Sequence, residues 1–200
     1  MAAGRREKPA RILNSAAQLF DLHGFHETSM DMIAAHAEVA KPTLYYYFSG
    51  KDQILWAIHD DLIGDLISAH EQRLSSDAGP KDLLAGIISD LLNFCVTKPG
   101  HVRVYLDHYR SLPQPFRSEA KKRRQTFERN MEDLLMAGID RGIFRKVDVR
   151  VASLAIFGAC RTFNWAHDWG RDESEVPAQS IANVINDLFL QGLERDGGGS

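Results

Sequence analysis

Residues 28–52 read TSMDMIAAHAEVAKPTLYYYFSGKD, and this stretch decides the fold. Met30, Ile33, Ala34 and Ala37 recur at helical spacing, and Thr28 or Ser29 ahead of them can accept from the orphan amides of a first helical turn. Glu38, Val39 and Ala40 form a short turn. Beyond it Leu44, Tyr47 and Phe48 sit at i, i+3 and i+4 and share one face. At about 100° per residue Pro42, Thr43, Tyr45 and Tyr46 point roughly the other way. This helix has about two turns and is marginal alone. Two short helices joined by so tight a turn predict a helix-turn-helix, a unit that lays its second helix in the DNA major groove.

The flanking sequence supplies what such a motif needs. From Pro9 to His23, Ile12, Ala16, Leu19 and Phe20 form one apolar stripe, Pro9 suits a first helical turn and Gly24 a C-cap. This helix provides a third wall, with Phe25 packed beneath it. On the other side Ser49, Gly50, Lys51 and Asp52 stop the aromatic helix and start the next, with Ser49 or Asp52 as its cap.

The chain has 200 residues, 44% of them apolar, enough to bury a full core. Its net charge of −3 gives no global attraction to nucleic acid, and residues 1–52 carry six basic against six acidic side chains. Placement matters more than the sum, because phosphate contacts need only a few cations at the contact surface. Arg5, Arg6 and Lys8 are expected in a loose basic arm over residues 1–8, and Lys41 and Lys51 flank the aromatic helix. No apolar run reaches the ~18 residues of a membrane span, and the opening MAAGRREKPA has no apolar secretion core, so a cytoplasmic location is expected. Cys95 and Cys160 lack metal-ligand spacing and read as buried thiols in a reducing compartment.

Downstream the periodicity stays helical. Gln53–Ser75 runs to a break at Asp77–Pro80; Lys81–Thr97 is apolar on more than one face; Lys98-Pro99-Gly100 breaks it; His101–Leu112 is short. Phe116–Asp140 is amphipathic, with Ala120, Phe127, Met131, Leu134, Leu135 and Ile139 inward. Asp148 caps a run rich in small residues (Ala152, Ala155, Gly158, Ala159), and Val176–Leu193 follows. These last two helices belong either to the core of the chain or to a dimeric four-helix bundle. Residues 196–200 read as a Gly-rich disordered tail. The fold class is all-α, with about nine helices: a head over residues 9–52 and a ligand-binding and dimerisation domain over 53–195.

Two blocks, AAxLFxxHGFxxTSMDxIA (Ala16–Ala34) and KPTLYYYFSGKDQIL (Lys41–Leu55), resemble the DNA-binding head of the tetracycline-repressor (TetR) family of bacterial regulators. The resemblance implies that Thr28, Ser29, Tyr45, Tyr46 and Lys51 engage phosphates or groove edges. It also implies that Lys41, Pro42 and Thr43 lead the recognition helix, and it favours the dimeric bundle. The sequence departs from the family in two places. Glu38 occupies a turn position usually held by Gly, where positive φ costs another residue ~1 kcal/mol or more. Ala40 stands where a Ser usually caps the recognition helix, a loss of about 1 kcal/mol.

Further along, GIDRGIFR (Gly138–Arg145) followed by CRTFNWAHDWGR (Cys160–Arg171) is similar to the carboxy-terminal domain of TetR regulators that respond to acyl-CoA thioesters in fatty-acid or steroid degradation. By that likeness Arg161, Trp165, Trp169 and Arg171 would lie at the nucleotide end of the ligand near the dimer interface. An arginine pairs bidentately with phosphate and an indole covers adenine. Phe94, His108 and Phe127 are assigned to the lining of a cavity formed between residues 53 and 170.

Plainer readings apply beside these. Tyr47 is core, Lys121–Arg124 reads as a solvated helix face, and Trp165 and Trp169 serve equally well as interface packing. The eight histidines form no recognisable ligand set, so no metal or cofactor is expected. No nucleophile elbow or phosphate loop is present, which argues against an enzyme. The sequence therefore predicts a homodimeric repressor that binds a palindromic double-stranded DNA operator and is released by an acyl-CoA. A drug-efflux regulator sensing a hydrophobic or aromatic compound is the alternative, and an α-bundle whose head docks protein is a third reading, separable by its weak salt dependence.

Overall fold

The computed structural model describes residues 3–168 and 178–194, with side chains described for 8–161 and 180–194. Among the described residues there are nine α-helices: α1 (Ala3–His23), α2 (Met30–His36), α3 (Lys41–Tyr47), α4 (Lys51–Leu74), α5 (Pro80–Thr97), α6 (Pro99–Asp107), α7 (Phe116–Asp140), α8 (Val149–Asp168) and α9 (Ala178–Leu193). A single 3-10 turn at Tyr109–Ser111 follows α6, and one isolated bridge joins Phe144 to Glu194. The tail at 196–200 lies outside the described residues.

The chain divides into two compact units. One takes the residues up to Gly64 together with Lys98–Arg123; the other takes Asp65–Thr97 and the residues from Arg124 onward. This partition differs from the expected division at residue 52. Ile54, Leu55 and Ile58 of α4, with Val104, Leu112 and Ala120, are buried in the same core as Ile12, Phe20, Ile33 and Leu44. An amphipathic pattern announces that a helix has a buried face, but not which partner covers it.

The expected arm is also corrected, since residues 3–8 are the first turns of α1 and Pro9 lies inside that helix. Its ring removes one amide hydrogen bond, while Arg5, Arg6, Glu7 and Lys8 are strong helix formers that carry the helix past it. Likewise Pro99 opens α6 at its first position where a break was expected, because a first-turn amide has no intrahelical acceptor to lose.

In the first unit the α2–α3 connection is a Schellman turn. The Glu38 amide donates to Ala35 O at 3.1 Å and the Val39 amide to Ala34 O at 3.0 Å, and Glu38 has φ +50°. A left-handed residue is required there, and the chain provides one without glycine. Nη2 of Arg11, on α1, donates to Glu38 O at 3.3 Å and helps hold the turn. Ala40 caps α3 with no side-chain hydrogen bond.

The second unit packs α5 against α8 and α9. Leu84, Ile88 and Leu92 of α5 meet Met131, Leu135, Ile156 and Ile185 in its core. Asp148 Oδ1 accepts from the amides of Arg150 and Val151 at 3.0 and 3.1 Å and starts α8. Cys95 and Cys160 are both buried here, and burial pushes their thiols up to about 11 and about 12, so both are protonated at neutral pH.

Two histidines on the buried stripe of α4, His59 and His70, are enclosed. His59 lies 5.0 Å from the Tyr105 ring and 6.4 Å from the Tyr109 ring, centroid to centroid. Burial, reinforced by nearby His108, lowers its pKa from 6.5 to about 4. Unfolded, the imidazole takes a proton below about pH 6.5; folded, it resists until about 4. The neutral site is thus fully stabilising above the unfolded value and loses its advantage as pH falls toward the folded one. Between pH 7 and 4 the wild type should lose about 3 kcal/mol more stability than His59→Leu, measured by urea unfolding at stepped pH. In the same assay at pH 7, Glu38→Gly should gain about 1 kcal/mol by relieving the left-handed turn; an unchanged midpoint would show that the turn is unstrained.

Candidate nucleic-acid interface

Helix α3 has seven residues, and its orientation is set from beneath. Leu44 is fully buried and Phe48 nearly so, while Tyr47 is half-buried against the head core. On the opposite side Tyr46 is 70% and Tyr45 46% exposed, unusual values for rings of that size. The Tyr46 ring meets Tyr47 edge-on at 5.0 Å, which orients it on the surface. Lys41 and Pro42 are exposed at the start of the helix and Thr43 is half-exposed beside them. Five of the eight sequence candidates, Lys41, Pro42, Thr43, Tyr45 and Tyr46, therefore share one helix and one solvent side.

Lys41 Nζ lies 2.6 Å from Asp31 Oδ1 of α2, a solvent-exposed pair. The hydrogen bond and charge of Asp31 hold the Lys41 ammonium above the usual lysine value. Any phosphate approaching Lys41 meets this carboxylate as a competitor.

The remaining three candidates divide. Ser29 is exposed and caps α2, its Oγ accepting from the Met32 amide at 3.2 Å. Thr28 is buried: its hydroxyl lies 2.9 Å from Gly24 O and 3.1 Å from Leu19 O, so it ties the α1–α2 loop to the end of α1 and faces inward. Lys51 points inward as well. Its Nζ donates to Phe25 O at 2.8 Å, His26 O at 2.7 Å and Thr28 O at 3.0 Å, and stands 4.9 Å from the centre of the Phe25 ring. An ammonium has three N–H groups, and all three close this loop. The expected phosphate contacts of the Thr28 and Lys51 side chains are accordingly replaced by roles inside the head. Spacing alone hides this, because both residues look polar and terminal in the sequence.

The effector candidates fall in different places. Phe127 is buried in the second unit, 5.4 Å from the Phe157 ring and 5.7 Å from His70, and Phe94 is half-buried on α5. His108 belongs to the first unit, at the end of α6 beside His59. Arg161 is exposed on α8; Trp165 is part of the same helix, with its side chain outside the described residues, and Trp169 and Arg171 lie outside them altogether. His59 itself was missed. Its signal is present, since Leu55, His59, Leu62, Leu66 and His70 fall on one stripe at spacings of three and four.

Within the Lys121–Arg124 run, Lys122 pairs with Glu119 at 3.6 Å and Arg124 with Glu128 at 3.4 Å along the same helix, while Arg123 reaches Asp60 of α4 at 2.9 Å. Helices α8 and α9 are apolar on two sides. Ile156, Cys160, Ala182 and Ile185 face the core, while Val151, Leu154, Val184 and Leu188 are more than half exposed. A groove of about 400 Å³ runs along that outer side, lined by Val147, Val151, Ala155, Leu188, Phe189 and Leu193 among others. Among the described residues no cluster of His, Cys, Asp or Glu could hold a metal ion, and no helix is long and apolar enough to cross a membrane.

Residues 12–58 match the family model "Bacterial regulatory proteins, tetR family", and residues 77–193 match "Tetracyclin repressor-like, C-terminal domain". The fatty acid metabolism regulator protein of Bacillus subtilis is 24% identical over 94% of this chain and 97% of its own length. Among solved structures, the TetR family regulator PfmR of Thermus thermophilus is 30% identical, with a TM-score of 0.79 over 92% of this chain and all of its own. AibR in complex with isovaleryl coenzyme A and operator DNA shares the fold at 22% identity, with a TM-score of 0.78 over 92% of this chain and 98% of its own. With both parts of the chain matched in their expected order, the protein belongs to the TetR family of bacterial regulatory proteins.

Proposed function

We propose that this protein is a ligand-responsive transcriptional repressor that binds a palindromic operator as a homodimer and is released by an acyl-CoA of lipid or steroid catabolism. One observation carries the DNA-binding half of the reading: α3 turns Tyr45, Tyr46 and the Lys41-Pro42-Thr43 corner to solvent above a buried Leu44. Exposed aromatic hydroxyls, a threonine and a lysine at the leading end of a short helix fit phosphates and groove edges. Ser29, at the start of α2, is the flanking contact. Tyr45 and Tyr46 anchor the helix by hydrogen bonds to the backbone, and Lys41 exchanges Asp31 for a phosphate.

The dimer rests on the outer stripe of α8 and α9. Four large aliphatic side chains along two adjacent helices form a contiguous apolar face, of the kind that closes into a four-helix bundle with a second copy. A two-fold dimer places its recognition helices in half-sites about 34 to 36 Å apart, or a multiple of that.

The acyl-CoA assignment is supported by the Arg161–Arg171 segment and by kinship with a fatty acid metabolism regulator. In this assignment Arg161 and Arg171 take the CoA phosphates, Trp165 and Trp169 the adenine, and Phe94 and Phe127 the acyl chain, with His108 near its far end. The mechanism is a shift of population between a conformation that fits the operator and one that does not. A ligand must prefer one state by about 5.5 kcal/mol to carry the equilibrium from 1:99 to 99:1.

The test is fluorescence anisotropy with the promoter DNA of the gene itself, across salt and with a panel of acyl-CoAs and free hydrophobic drugs. Wild type should bind with a steep loss of affinity as salt rises, and acyl-CoA but not free drug should release it. Tyr46→Ala should lower specific affinity by tenfold or more while the thermal midpoint stays put; unchanged operator affinity would remove α3 as the reading helix. Leu188→Glu should convert a dimer to monomers in sedimentation velocity, and a dimer that persists would move the interface off α8 and α9.

A further inference from the structure

Asp31 lies in the first turn of α2 and Lys41 opens α3, and the turn between the two helices brings their side chains together. That turn is held by the amides of Glu38 and Val39 and by Arg11 on the Glu38 carbonyl, so the backbone itself sets the carboxylate beside the ammonium, 2.6 Å away. Both side chains stay in water, 66% and 57% exposed. Whatever meets the leading corner of α3 therefore meets both charges.

Helix α2 has little need of this pair. Ser29 already satisfies the Met32 amide in the first turn, and a first-turn acid favours the helix dipole without any lysine. An exposed ion pair is also a weak, salt-screened source of stability. Against DNA the carboxylate is unfavourable, since it repels phosphates and occupies the one cation at the start of the reading helix. An unpaired lysine in that place would gain the whole charged hydrogen bond to a phosphate, whereas Lys41 gains only the difference between phosphate and Asp31.

We propose that Asp31 is an autoinhibitory residue of the DNA interface: it competes with phosphate for Lys41, takes the ammonium back whenever the contact loosens, and so shortens the life of the repressor–operator complex. The proposal rests on the repressor reading and suits a protein that has to let go of its operator. Asp31 acts through Lys41 and is a positioning residue. Because the pair is exposed, it tunes the complex by a small factor and does not switch it.

The test is a double-mutant cycle in stopped-flow dissociation and equilibrium anisotropy at low salt, on promoter DNA of the gene itself and on a random duplex of equal length. Asp31→Asn should slow dissociation from promoter DNA about threefold. In a Lys41→Gln background the same substitution should leave the dissociation rate nearly unchanged, and only the association rate should rise, by the same factor in both backgrounds, from the lost negative charge. Asp31→Ser repeats the measurement, and thermal midpoints show which variant keeps the seven-residue α2 intact. Equal changes in dissociation rate with and without Lys41 would overturn the proposal, as would faster or unaltered dissociation in both Asp31 variants. A wild type that binds promoter and random DNA alike would refute the repressor reading instead, and the cycle in affinity for the random duplex would still decide whether Asp31 competes for Lys41.

Discussion

A seven-residue helix without a side-chain cap cannot hold its own shape in water, so the burial of Leu44 and Phe48 is the interaction on which the head depends. Their apolar contacts set the rotation of α3 about its axis. Rotation in turn decides which side chains meet solvent, and Tyr45 and Tyr46 are exposed only because Leu44 is not. The turn before α3 adds a second constraint: a left-handed residue must reverse the chain in minimal length, and Glu38 takes that conformation within a Schellman motif.

Polar groups then fasten what the apolar core has shaped. Lys51 gathers three carbonyls of the α1–α2 loop, Thr28 reaches back to the end of α1, and Arg11 reaches the carbonyl of Glu38. Each satisfies carbonyls that a short loop leaves without helical or sheet partners. This explains how a head lacking both a glycine in the turn and a hydroxyl cap on α3 still presents one fixed surface. Among the cations of the head, Lys51 and Arg11 are committed to backbone carbonyls and Lys41 is paired with Asp31.

In the second unit the same economy operates on a larger scale. Helices α8 and α9 bury one side in the core with α5 and leave a second apolar stripe outside. Small residues such as Ala152, Ala155 and Gly158 thin one helix enough for close approach, and Leu188 stands out from the other. Such a stripe is costly to leave in water. Of the two alternatives read from the sequence, the chain's own core takes the inner side of these helices, and the outer stripe is the side the proposed four-helix bundle would use.

Residues 28–52 by themselves determined the helix-turn-helix, the face division of α3 and the two irregular positions at Glu38 and Ala40, because each depends on local periodicity or on one residue's backbone preference. The same holds for the all-α class and for the helix ends that Gly24, Gly142 and Asp148 mark chemically. Tertiary structure alone decided that α6 is built into the head, that Thr28 and Lys51 turn inward, and that His59 is enclosed beside two tyrosine rings. These are choices of partner, not of conformation. A side chain's period shows which way it faces along its own helix, but what it meets there is supplied by segments distant in sequence, as Arg103 is for Asp21.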